Sequence, residues 1–241
     1  MARVLDVLTE APRPCSYLDD RSASLLHRIL VDVEPWELEA MLSRGWRRFG
    51  PDYFRPVCGT CTECVPTRIP LATFEASRSQ KRAAKNAQRL RREYGPPRCD
   101  DARLQLYEKW HRQRELARGW EASWLGERSY RAQFAFPHPS ARELAFYDGE
   151  RLVGVSLCDE TPLALSAIYF FFDPDYAKGS PGVGNVMSLV ELGRQRGKQH
   201  LYLGFTVEAC ASLRYKASFQ PREILIGSPG DDELAQWRVA G

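Results

Sequence analysis

Apolar and polar positions do not keep one period along this chain: helical spacing dominates its first half, and after a proline-containing loop it gives way to strand-like alternation. The segment Glu34 to Gly45 predicts a short helix, with Pro35 in its first turn and Gly45 closing it. Trp46 to Arg55 follows as a strand rich in aromatic and basic residues. A second helix is expected from Ser79 to Tyr94, stopped by Gly95-Pro96-Pro97, and a third from Ala102 to Gly119, with Leu104, Tyr107, Trp110 and Arg114 at helical spacing. Then come three strands, Glu143 to Tyr147, Leu152 to Cys158 and Ala164 to Phe172, the first two joined by the turn Asp148-Gly149. Asp173-Pro174 ends the third. A glycine-containing loop, Lys178 to Asn185, leads to a helix over Val186 to Arg196, a strand over His200 to Thr206, a short helix over Ala209 to Ala217 and a last strand.

That order, three antiparallel strands, loop, helix, strand, short helix and strand, is the order of the GNAT-type acyltransferase fold, so the expected class is α+β. In that fold the loop before the central helix offers backbone N–H groups to a phosphate-bearing donor, which glycine permits by letting the backbone come close. A flexible connection is the plain alternative for Lys178 to Asn185. The Gly-Pro-Pro break suggests two parts: a smaller N-terminal, cysteine-containing and basic domain over residues 1–95, and a GNAT-like domain over residues 98–241.

Composition narrows the setting. With 44% hydrophobic and 27% charged residues the chain can bury one sizeable core or two small ones. A net charge of +3 is too mild for general polyanion binding, so any nucleic-acid contact must come from the cations clustered between Arg44 and Arg92. Seven cysteines, an odd number in tight clusters, point away from a secreted disulfide framework and toward a reducing compartment. Asp6 and Glu10 interrupt what would be the apolar core of an export signal, and the longest apolar run, Leu163 to Phe172, is far short of the roughly 20 residues a membrane span needs. The expected location is the cytoplasm, with no membrane partner.

Two clusters carry candidate chemistry. Cys58, Cys61 and Cys64 are three residues apart, a spacing that lets their sulfurs turn onto one ion or cluster, and Cys15 is the best fourth ligand. Zinc, an iron-sulfur cluster and plain reduced thiols all remain open. Basic residues at Arg78, Lys81, Lys85, Arg89 and Arg92 recur every three or four positions and would line one helix face, a stripe suited to a phosphate backbone. A merely solvated helix face is the alternative.

Several motifs, in order, resemble the bacterial aspartate/glutamate leucyltransferases and their relatives the arginyl-tRNA-protein transferases. They are Cys15-Ser16-Tyr17-Leu18, Leu42-Ser43-Arg44-Gly45-Trp46-Arg47-Arg48, the cysteine triplet with Val65-Pro66-Thr67-Arg68, and Ser77-Arg78-Ser79-Gln80. In the second half they are Leu165-Ser166-Ala167-Ile168-Tyr169 with Phe171-Phe172-Asp173-Pro174, Tyr202-Leu203-Gly204-Phe205, and Tyr215-Lys216-Ala217-Ser218-Phe219-Gln220-Pro221. One departure stands out: where the family has a short Ser-Leu-Gly-Thr turn, this chain has the longer Lys178 to Asn185.

The resemblance implies transfer of an amino acid, leucine in preference to arginine, from charged tRNA to the α-amine of proteins beginning with Asp or Glu, which marks them for degradation. Its partners would be aminoacyl-tRNA and those proteins. In eukaryotic relatives a comparable cysteine region is associated with clusters. The ester donor is already activated, so no cofactor is required for the chemistry and the enzyme mainly positions and desolvates. The candidate catalytic groups are Asp159, as an orienter and proton acceptor for the incoming ammonium, and the hydroxyls of Tyr169, Tyr202 and Tyr215, as donors to the developing oxyanion. Arg47, Arg48, Arg68 and Lys216, with Ser166 and Gly204 from the same motifs, are the candidate substrate-binding residues, the cations reading an acidic side chain. Packed aromatics, a solvated turn carboxylate and surface ion pairs are the respective alternatives. Competing functions are a CoA-dependent N-acetyltransferase, which leaves the cysteine-basic half without a purpose, and a zinc-ribbon-like RNA-binding module without catalysis.

Overall fold

The computed structural model describes residues 1–118 and 126–240. In its first third lie β1 (Arg3–Thr9), β2 (Arg13–Pro14), β3 (Ser22–Ala23), β4 (Leu25–Val31), α1 (Pro35–Ser43), β5 (Arg47–Phe49), β6 (Asp52–Pro56) and β7 (Val65–Pro70). The middle holds α2 (Arg78–Gln88), β8 (Arg91–Gly95), α3 (Asp101–Arg118) and α4 (Glu127–Phe134), and the rest β9 (Ala141–Asp148), β10 (Arg151–Glu160), β11 (Ala164–Phe172), α5 (Pro181–Gln195), β12 (His200–Thr206), β13 (Glu223–Leu225) and β14 (Trp237–Val239). The fold therefore mixes helix and sheet.

The strand-rich second half follows its alternation. β9, β10 and β11 form an antiparallel meander, and β12 lies parallel to β11 after the crossover through α5. They belong to an eight-stranded sheet in the order β14-β13-β7-β12-β11-β10-β9-β8. One face packs Leu144, Phe146, Val153 and Leu165 against Val186, Leu189 and Val190 of α5. The other packs Val155, Leu157 and Phe171 against Tyr107 and Trp110 of α3 and Tyr130 and Phe134 of α4. A second sheet, β1-β4-β6-β5, covers α1 around Trp46 and Tyr53.

Several sequence expectations change here. The helix expected over Ser79 to Tyr94 ends at Gln88, and Arg91 to Gly95 instead pairs with β9 as an edge strand. Its start is sharp because Ser77 and Gln80 form a reciprocal capping box. The strand expected over Trp46 to Arg55 is a hairpin, β5 and β6, turned at Gly50 and Pro51. The loop Lys178 to Asn185 is helical except at Ser180: a 3-10 turn covers Pro174–Gly179, and α5 starts at Pro181 rather than Val186. The closing helix shrinks to a 3-10 turn at Arg214–Ser218. Gly119, the expected end of α3, lies outside the described residues. Strands β7 and β8 precede Gly95-Pro96-Pro97, yet they share the large sheet with β9 to β13, so the packing does not divide at that break. No described helix is long and apolar enough to cross a membrane.

Where the two sheets meet, Tyr53 of β6 is fully buried and its hydroxyl lies 2.8 Å from His138 Nε2. The Ser140 N–H donates to His138 Nδ1 at 3.0 Å, so the neutral ring carries its proton on Nε2 and gives it to Tyr53. Burial, then the nearby Arg48 and Arg142, pushes the His138 pKa down to about 3. The unfolded chain takes this proton below about pH 6.5 and the folded chain does not, so stability is complete above that pH and falls toward pH 3. H138Q is expected to remove about 1.4 kcal/mol per pH unit from the slope of stability between pH 6 and 4, read by urea unfolding.

Candidate active site

Strands β11 and β12 stay paired only at Ala164, Leu165 and Ser166, opposite His200, Leu201 and Tyr202. Past that point they part, and each is irregular where it does so. Tyr169 pairs with Leu157 and Ala167 with Cys158, which leaves Ile168 as the extra residue of a bulge. On β12 the register with β7 shifts between Tyr202 and Gly204. Gly204 sits at φ +80°, and a Cβ there would meet the Arg47 guanidinium at 3.4 Å. Arg47 reaches across this gap: Nη1 donates to Ser166 Oγ at 2.8 Å, and Nη2 to the Ala167 carbonyl.

The parted strands border a cleft of about 630 Å³. Its apolar wall includes Ile168, Tyr169, Phe170, Phe172 and Trp110, and its rim includes the start of α5, Ser180 to Val183, and Tyr215 and Lys216. Arg47, Arg48, Arg114 and Lys216 are the cations of this lining, and no Asp, Glu, His or Cys is among the described residues that line it. The cleft is therefore positive and suited to anionic groups.

The expected site residues divide in two. Arg47, Arg48, Tyr169, Gly204, Tyr215 and Lys216 border the cleft, while Ser166 supports it by holding Arg47. The Tyr169 hydroxyl shares a 2.9 Å hydrogen bond with His111 Nε2, and burial raises its pKa, so it stays protonated. Tyr215 is 39% exposed, and partial desolvation raises its pKa in the same direction. Lys216 Nζ donates to the Phe205 carbonyl at 3.0 Å, and burial, then Arg47, lowers its pKa to about 7.

Asp159 is elsewhere. It is 1% exposed and held by Arg48, whose Nε lies 3.1 Å from both carboxylate oxygens and whose Nη1 donates to Gly50 O at 2.9 Å. Asp159 does not border the cleft, so it has no path to an incoming ammonium, and Arg48 is committed to it. Arg68 donates to Glu223 at 2.6 Å and to the Tyr202 hydroxyl at 3.1 Å, and stacks 4.2 Å over Trp237. Arg68 and Tyr202 thus brace β7, β12 and β14 away from the cleft.

Of the basic stripe, Arg78, Lys81, Lys85 and Arg89 are exposed on and just after α2, whereas Arg92 lies on β8 and pairs with Glu191 at 2.8 Å. Arg82 adds an exposed cation to α2. The helix is held to α5 at Gly184, where a Cβ would come within 3.1 Å of the Ala83 carbonyl and 3.2 Å of the Ala87 Cβ.

Cys15, Cys58, Cys61 and Cys64 border one cavity of about 650 Å³, next to the cleft, with Tyr17 lining both. Burial, then Cys15, Cys58, Cys61 and Cys210 around it, pushes the Cys64 thiol up to about 12. Such crowding of soft donors is what a cation relieves, and the donor set fits zinc or an iron-sulfur cluster. Their sulfurs are not closed to ligating distance: no three of the described His, Cys, Asp and Glu side chains are spaced to hold one ion. Cys58 Sγ instead donates to Ser24 O, and Cys15 Sγ accepts from Tyr17 N–H.

Sequence reasoning missed Trp110, Ile168 and Tyr17 as site residues. Tyr17 stood in a quoted motif; the bulge at Ile168 left no sequence mark.

Two family models, described as the C terminus and the N terminus of arginine-tRNA-protein transferase, match residues 102–226 and 13–82. The chain belongs to the arginine-tRNA-protein transferase family. It is 31% identical to an aspartate/glutamate leucyltransferase of Helicobacter hepaticus over 93% of this chain and 94% of that one. Identity to that of Shewanella oneidensis is 34% over 88% of each. Among solved structures, L-PGS from Bacillus licheniformis is 14% identical with a TM-score of 0.43, covering 71% of this chain and 50% of that chain.

The Arg48–Asp159 pair yields a stability prediction. Removing one member leaves a buried charge alone, which costs about 3–5 kcal/mol. R48A is expected to fall in that range by urea unfolding, and R48M combined with D159L to lose clearly less.

Proposed function

We propose that this protein transfers leucine from leucyl-tRNA to the α-amine of proteins that begin with Asp or Glu, within a cytoplasmic route that marks such proteins for degradation. The cleft carries this reading: Arg47 and Lys216 border it and no carboxylate is among its described lining residues, which suits both an acidic acceptor side chain and the end of a tRNA. Family membership and near-full-length likeness to leucyltransferases support it. The same observations favour a GNAT-like description of β9 to β13 with α5, in which the parted β11 and β12 would admit the acyl group and the first turn of α5 would face the phosphates. The sheet continuity through β7 and β8 favours a single catalytic unit over two separate domains.

In this reading the aromatic wall takes the leucyl side chain and the terminal base, whose faces pack on rings regardless of sequence. The exposed cations of α2 hold the tRNA backbone. Tyr169 and Tyr215 are protonated and so can donate to the oxyanion that forms as the ester is attacked. Arg47 orders the gap between the strands and faces the acidic acceptor.

Purified protein incubated with separately charged leucyl- and arginyl-tRNA is expected to label peptides beginning with Asp or Glu, and not Ala, with leucine. Arginine transfer alone would reverse the donor assignment. Changing Lys81, Lys85 and Arg89 to Ala should flatten the salt dependence of tRNA binding by about two to three logarithmic units of slope, read by filter binding. We further propose that Cys15, Cys58, Cys61 and Cys64 bind zinc or an iron-sulfur cluster as a structural group apart from the chemistry. Anaerobic preparations should then hold about one zinc or one cluster per chain, a content lost on replacing Cys64 by Ser.

A further inference from the structure

The acceptor's α-amine must lose a proton before it can attack, and the cleft offers few groups to take it. Its described lining has no carboxylate, histidine or cysteine. The arginines stay protonated. Tyr169 and Tyr215 are raised by burial, as is Tyr17 by burial and by Cys64, so their hydroxyls do not ionise near neutral pH. Asp159 is shut away under Arg48. Lys216 remains. Its side chain is half-buried at the cleft, and its one described hydrogen bond goes to the uncharged Phe205 carbonyl. The groups that face it are Arg47 from β5, which disfavours a second cation, and the thiols of Cys64 and Cys210, which would favour the ammonium only as thiolates. A lysine so placed keeps a large neutral fraction near pH 7, as a base in this cleft must.

Resting on the transferase reading above, we infer that Lys216 is the proton acceptor for the incoming α-ammonium, and not a reader of the acidic side chain. Neutral Nζ removes one proton from the ammonium. The freed electron pair attacks the ester carbon, forming the C–N bond. As the intermediate collapses, the C–O bond to the 3′ oxygen of the tRNA breaks, and that oxygen takes the second proton from the nitrogen. The amide keeps the third, and Lys216 returns the first to solvent.

K216R keeps the positive charge but cannot become neutral, so it separates the two roles. Loss of the base is expected to lower kcat at least about 100-fold while leaving KM for an Asp-initiated peptide within about threefold. In K216A, trimethylamine, which can accept a proton but cannot form an amide, should restore part of kcat. A K216R enzyme with near-normal kcat, or one whose loss is confined to KM, overturns the inference while leaving the transferase reading intact. Wild-type protein that transfers nothing from any charged tRNA removes that reading and the inference with it. A measurement on the folded wild type covers the case of unstable variants: after reductive methylation with a ¹³C label, the Lys216 resonance should titrate below pH 8, and one that stays charged past pH 9 overturns the assignment.

Discussion

Strand β5 fixes the rest of the molecule by sending two neighbouring arginines into the large sheet. Arg48 closes on Asp159 of β10, and Arg47 on Ser166 and Ala167 of β11. The first is a buried ion pair that locks the small sheet onto the large one. The second props open the gap between β11 and β12, which without a side chain to satisfy Ser166 and Ala167 would leave backbone and hydroxyl groups unpaired. One three-residue strand thus supplies both the joint and the mouth of the cleft.

The electrostatics of the cleft follow from that arrangement. Asp159 is taken up by Arg48, and the field of Arg47 disfavours further positive charge beside it. An anionic acceptor relieves this field, and a lysine within it gives up its proton readily. On the proposed reading, recognition and proton transfer then share one cause.

The sequence made the meander and β12 legible because their residues alternate between two packed faces: β11 and β12 have the expected bounds, and β9 and β10 differ from theirs by at most two residues at either end. The nearness of Cys58, Cys61 and Cys64 was legible in their spacing, whereas no spacing brings the distant Cys15 to the same cavity. Strand β1 was not: all seven of its residues are exposed, so no inward period marked it. Strand β8 was hidden because Arg91 to Gly95 continue a basic helical pattern, and only Glu191 and the edge of β9 draw them into a strand. The pairings of Arg48, Arg68 and Asp159 were hidden for a related reason. Their partners lie 111 and 155 residues away, and nothing local distinguishes a paired charge from one that awaits substrate.

The contact at Gly184 has a mechanical meaning. Because α2 and α5 touch through their backbones with no long side chain between them, they cannot slide independently. A polyanion seated on the outer surface of α2 is therefore held at a set span from the opening beside the first turn of α5. On the proposed reading, the pair is a rigid gauge that admits a strand end only when its length from grip to tip matches.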